Sequence, residues 1–193
     1  ILIRCRMLIV LAALGWLGAT ARGWAQVYSV QVVGYVSMSL PRVASTNMGH
    51  LIANPLNNTN NFLETILPLP DDADGTVVAK WVTAGQSFTS AAFIAGLGWD
   101  PPSLAVNLGE GWFLRPWTLS GGNLNVTFVG EVPQGHLVTP LPGPGQTAFL
   151  ASAVPQVAPL GDSGSPGTLR FPAEDGDQVW LWKSSAQDYS LPY

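Results

Sequence analysis

The sequence predicts an all-β protein: internally duplicated antiparallel sheet units forming a sandwich or a partly closed barrel, with little helix. Three observations predict it. Short runs of β-branched and aromatic residues recur along the chain, each bounded by Gly, Pro, Asn or Asp, the pattern of strands and turns. No long amphipathic helix is present to act as the crossover of a parallel α/β sheet. Part of the chain also repeats itself in order.

The first element is not a strand. Arg4 and Arg6 precede the apolar run Met7 to Leu17, and small residues follow at Ala19-Thr20-Ala21 and Gly23-Trp24-Ala25. A positive start, a short apolar stretch and small residues before a cleavage point define a secretory signal peptide, here residues 1–25. The run falls short of the about 20 apolar residues that a membrane-spanning helix needs. Cleavage is expected after Ala25, with Ala21 as the alternative, and no later stretch is long enough to span a membrane.

Strands are then expected at Val27 to Val36, Thr76 to Val82, Gly111 to Leu114, Leu124 to Val129 and Gln178 to Trp182. The one helix-like piece is Asn60 to Leu67, with Asn60 as its cap and Glu64 in an early turn, ended by Pro68. Asp71-Asp72-Ala73-Asp74-Gly75 and Glu174-Asp175-Gly176-Asp177 read as turns, because Asp and Gly tolerate positive φ.

The repeat divides the exported part in two. Val33-Gly34-Tyr35-Val36 returns as Val129-Gly130-Glu131-Val132, and Leu51-Ile52-Ala53-Asn54-Pro55 has a looser echo in Phe149 to Pro155. Asp74 to Trp81 aligns without gaps on Asp175 to Trp182, and in the same register Gln86-Ser87-Phe88 falls on Gln187-Asp188-Tyr189. The expected units are 26–128 and 129–193. The second is expected to be truncated, since the counterparts of Trp99 and Gly109-Glu110-Gly111-Trp112 would fall beyond Tyr193.

Several of these segments carry a resemblance. Ala25 to Val36 after a signal peptide resembles the opening of a group of secreted environmental-bacterial proteins of unassigned function. Leu51 to Asn58, Gly109 to Phe113 and Phe128 to Gly135 resemble later signposts of that group. They are also similar, more distantly, to the "GWNLIS…GKGYWV" β-modules of bacterial surface proteins. The resemblance implies an exported β-module and carries over no catalytic residue.

Composition removes whole classes of function. Eight Lys+Arg face twelve Asp+Glu, and loss of Arg4, Arg6 and Arg22 with the leader leaves five basic residues, a formal charge of −7. Nucleic acid is not an expected partner of such a chain. The single cysteine, Cys5, leaves with the leader, which removes disulfides, Cys-based zinc sites and thiol nucleophiles.

Other chemistry fails on spacing. Gly161-Asp162-Ser163-Gly164 resembles a serine-protease nucleophile segment, yet the chain offers only His50 and His136 as bases, and neither sits in that family's context. An EF-hand built around Gly75 or Gly176 would open on Pro70 or Phe171, neither an oxygen ligand. No cofactor and no metal are expected, and neither histidine is expected within hydrogen-bond reach of both Ser163 and a carboxylate.

Tryptophan remains: Trp81, Trp99, Trp112, Trp117, Trp180 and Trp182 in the exported chain. Trp81, Trp112 and Trp182 are expected in the core. Trp99, Trp117 and Trp180 are the candidate ligand-binding residues, as stacking faces for sugar rings. The expected function is an exported, non-enzymatic β-module with a structural or interaction role at the cell surface or in the matrix. Its partner would be a surface protein or a polysaccharide. A carbohydrate-binding module using those three tryptophans is the alternative, and an exported hydrolase comes third.

Overall fold

The computed structural model describes residues 32–42, 48–118, 121–161 and 167–192. Its elements are β1 (Val33–Arg42), β2 (His50–Ala53), α1 (Leu63–Ile66), β3 (Val77–Val82), β4 (Ser87–Ile94), β5 (Gly98–Asp100), β6 (Gly111–Arg115), β7 (Gly122–Glu131), β8 (Trp182–Lys183) and β9 (Asp188–Tyr189). Every strand pairing is antiparallel. The protein is all-β, and no sheet of the described residues closes into a barrel. The leader, 1–25, lies outside the described residues, as does the Val27 to Gln31 part of the first expected strand.

β1 and β7 form a long two-stranded ribbon. Side chains alternate across a strand, so one face collects Val36, Met38 and Leu40 opposite Phe128, Val126 and Leu124. The other face carries Tyr35, Ser37 and Ser39 opposite Val129, Thr127 and Asn125. It faces water: Tyr35 and Val129 are exposed, and Ser37 Oγ lies 2.8 Å from Thr127 Oγ1.

The main sheet runs β2-β6-β3-β4-β5. Register places Trp112 and Leu114 of β6, Val78 of β3, Ala91 and Phe93 of β4 and Trp99 of β5 on one face. These are buried with Leu124, Val126 and Phe128 of the ribbon and with Leu63, Ile66 and Leu67 around α1. The core is thus a sandwich of ribbon on sheet, with α1 at one side.

α1 is one turn long. Asn60 does not cap it: the cap position is Phe62, and Asn60 Oδ1 instead accepts the Phe62 N–H at 3.3 Å, an Asx turn leading into the helix. Pro68 prevents continuation, since the residue before proline avoids the helical region; Leu67 accordingly sits at φ −135°, ψ 60°.

The second glycine of the repeated Val-Gly pair has a physical cause. Asn57 and Glu131 exchange N–H···O bonds of 2.8 Å in both directions, which brings the Asn57 carbonyl onto Gly130. A Cβ on Gly130 would collide with that carbonyl. An asparagine network fixes the approaching loop: Asn54 donates to Asn61 Oδ1 and to the Val106 carbonyl, and Asn58 Nδ2 donates to the Val129 carbonyl.

The other face of the main sheet carries Phe113, flanked by Ala79 and Leu51 in register, and the C-terminal part of the chain packs there. Gly111 N donates to the Phe149 carbonyl at 2.8 Å and Ala151 N to the Gly109 carbonyl at 3.0 Å. Phe149 and Trp182 stand edge-on to Phe113, with centroids 5.4 and 5.0 Å away. The expected strand at Gln178 to Trp182 is much shorter: only Trp182 and Lys183 form a ladder, with β9 as partner. Residues 178–181 are not part of a strand, although Leu181 bonds Ser190 beyond β9, its carbonyl accepting Ser190 N at 2.7 Å.

All described residues belong to one compact unit, Gln31–Tyr193. The boundary drawn between 128 and 129 from the sequence runs through β7, and the two Val-Gly segments pair side by side, Gly34 opposite Gly130.

Candidate functional site

Two hairpins share one geometry. In β3–β4, Trp81 lies opposite Phe88; in β8–β9, Trp182 lies opposite Tyr189. The residue two before each second aromatic is a glutamine in the left-handed region, Gln86 at φ 45° and Gln187 at φ 52°. That conformation is uncommon for a residue with a Cβ. It folds each amide back on its own loop, so that Gln86 Nε2 donates to the Thr83 carbonyl and Gln187 Nε2 to the Ser184 carbonyl.

The same amides grip a distant residue. Thr147 N donates to Gln86 Oε1 at 2.9 Å, and Gln86 Nε2 donates to the Thr147 carbonyl at 3.1 Å. Gly49 N donates to Gln187 Oε1 at 2.7 Å, and Gln187 Nε2 donates to the Gly49 carbonyl at 3.0 Å. A primary amide offers one carbonyl and two N–H groups, so it exchanges two bonds with one residue as a neighbouring strand would. Each tryptophan then fills the carbonyl's second lone pair: Trp81 Nε1 donates to the Thr147 carbonyl at 2.7 Å, and Trp182 Nε1 to the Gly49 carbonyl at 3.0 Å.

The two clamps are crossed. The hairpin of the first expected unit holds Thr147 in the second, and the hairpin of the second holds Gly49 in the first. The targets are also alike: Gly49 leads into β2, and Thr147 leads into Phe149-Leu150-Ala151, which bridges to Glu110. Phe149 packs against both Trp81 and Phe88, with centroids 6.0 and 5.8 Å away.

The three candidate tryptophans do not form a common surface. Trp99 is 4% exposed, packed on Phe93, and its indole N–H donates to the Leu67 carbonyl at 2.8 Å. It belongs to the core, so its expected role as a stacking face is corrected. Trp117 is half-buried against Gly75. Trp180 is 48% exposed, with its ring edge-on to Tyr189. Of the three expected in the core, Trp112 is there; Trp81 and Trp182 are half-buried in the clamps.

His50 is buried at the start of β2, its Nε2 3.0 Å from the Pro41 carbonyl. His136 is exposed in a bend. Asp162, Ser163 and Gly164 lie outside the described residues, so the expected separation of the histidines from Ser163 falls there too.

The acidic turn at 71–75 has a structural task. Asp74 Oδ1 accepts Ala95 N at 2.9 Å and Asp71 Oδ1 accepts Gly96 N at 3.1 Å, holding the β4–β5 turn, while Gly75 takes φ 79°. At 174–177, Asp177 Oδ2 accepts Glu174 N and Gly176 takes φ 97°. Among the described residues no three His, Cys, Asp or Glu side chains converge in a metal-binding group. An open depression of about 250 Å³ is lined by Asn60, Phe62, Glu64, Thr65, Pro102 and Ser103; Glu64 is its one ionisable side chain.

Comparison with protein families, curated proteins and solved structures finds no match to this chain. Gln86 and Gln187 had no assigned role in the sequence. The signal that marks them is the spacing Trp–x4–Gln–x–aromatic, occurring twice in one register.

Proposed function

We propose that the chain is an exported, non-enzymatic β-module with a structural or interaction role at the cell surface or in the matrix. One observation carries this reading: the side chains that recur in the same register, Trp81 with Gln86 and Trp182 with Gln187, are committed to gripping polypeptide backbone. They are adhesive groups, placed to hold chain to chain.

Two measurements test it. Mass spectrometry of material released by an expressing bacterium should give a chain beginning at Gln26, and a secreted form retaining Met7 to Leu17 would contradict export by a cleaved leader. Assays on ester, peptide and glycan substrates should show no turnover; turnover abolished by His136→Ala would replace the reading with a hydrolase.

Carbohydrate binding is the second reading, supported by the open ring of Trp180 beside Tyr189 and the exposed Leu181. A glycan array probed with the wild-type protein and with Trp180→Ala distinguishes the two: a signal lost in the variant would favour the polysaccharide partner.

A further inference from the structure

The clamp reads main chain. Of its target it bonds only the N–H and the carbonyl, and the two targets carry different side chains, none at Gly49 and a branched hydroxyl at Thr147. Glycine is not selected at 49. A Cβ there would meet Phe113 Cδ1 at 3.4 Å, Gln187 Oε1 at 3.5 Å and Arg115 Cγ at 3.8 Å, all ordinary contacts. In its polar contacts the clamp uses only one residue's N–H and carbonyl.

The C-terminal hairpin is also attached in a distinctive way. β8 and β9 form a sheet of their own and join no other strand. The clamp on Gly49 and the edge-on contact of Trp182 with Phe113 tie the hairpin to the main sheet. Between Ala151 and Trp182 the described residues contain neither helix nor strand. A chain of that length reaches on the order of 100 Å when extended, several times the radius of a domain of this size.

We propose that β8–β9 is an exchangeable arm whose partner is a second copy of this chain: the hairpin of one molecule closes on Gly49 and packs on Phe113 of the other. The contacts made in trans are those made within one chain, which makes exchange between identical molecules a low-cost route to association. Trp180, Leu181 and Leu191 are exposed beside the hairpin and would move with it. The proposal rests on the interaction-module reading and names its partner.

Complementary variants of the full exported chain test it. Gln187→Glu keeps Gly49 but loses one of the two donors that hold the Gly49 carbonyl, leaving Trp182 Nε1 alone and setting a carboxylate beside it. Gly49→Pro keeps the hairpin but loses the N–H that Gln187 accepts. Each alone should remain at monomer mass by light scattering. A one-to-one mixture should give a species of twice that mass, with amide exchange at Gly49 of the Gln187→Glu partner slowed by about tenfold or more. A mixture that stays at monomer mass overturns the proposal while leaving an interaction role with another partner standing; equal self-association by each variant alone overturns it as well. Should either variant fail to fold, two wild-type preparations of different isotopic mass are refolded together. Mixed dimers by native mass spectrometry support the exchange, and their absence overturns it.

Discussion

Trp81 and Trp182 hold equivalent places in two hairpins, each opposite an aromatic partner and each donating its indole N–H to a carbonyl that a glutamine also binds. They differ in what surrounds the target: Gly49 is buried, whereas Thr147 is exposed.

That difference predicts unequal costs for equivalent substitutions. Gln187→Ala leaves the Gly49 N–H buried without an acceptor, a loss of about 1–3 kcal/mol. Gln86→Ala leaves the Thr147 N–H to water, a loss of about 1 kcal/mol or less. Urea denaturation should rank the two variants in this order, and amide exchange should accelerate at Gly49 in the first and at Thr147 in the second.

The two Val-Gly glycines should also part company. In Gly130→Ala the new methyl runs into the Asn57 carbonyl, so the paired bonds between Asn57 and Glu131 must open, at about 1–3 kcal/mol. In Gly34→Ala the nearest atoms are the side-chain carbons Val132 Cγ2 at 3.2 Å and Leu56 Cδ2 at 3.5 Å, which can shift. Equal denaturation midpoints for the two variants would contradict this account of the motif.

Register in β7 is tested by neighbours on opposite faces. Phe128 is 1% exposed and Val129 is 55% exposed. Phe128→Ala should cost about 3–5 kcal/mol, and Val129→Ala should stay within about 0.5 kcal/mol of wild type. Thermal melts of the pair suffice.

Alkaline pH should loosen the C-terminal hairpin before the rest. Partial burial raises the Tyr189 phenol above its usual value of 10.0. The folded state therefore holds this proton more tightly than the unfolded chain does. Its contribution is complete below pH 10 and declines as pH rises through the raised value. Tyrosinate absorbance should titrate together with the change in tryptophan fluorescence that reports Trp182, and Tyr189→Phe should remove the coupling.

Much of the fold was legible in the residues. The alternation in Leu124 to Val129 and the apolar, aromatic Gly111 to Leu114 identified β7 and β6 because burial on one face or both leaves a direct pattern. Gln178 to Trp182 carried the same composition, yet only Trp182 and Lys183 pair, because a ladder needs a partner strand and composition does not supply one. Trp99 shows the same limit: its large ring reads alike in a core and on a binding face, and only packing against Phe93 decides. The clamps were half visible. The repeat aligned Gln86 with Gln187, but the bonds run to Thr147 and Gly49, at separations where no local pattern operates.

Because the grip falls on the peptide group, the held segments are released from any requirement to keep their letters. Met48-Gly49-His50 and Gln146-Thr147-Ala148 share no residue at equivalent positions, and only the looser echo of Leu51-Ile52-Ala53 in Phe149-Leu150-Ala151 sets them in one register. What the two clamps have in common therefore lies in the gripping hairpins, Trp–x4–Gln–x–aromatic in both, and in the peptide groups they hold.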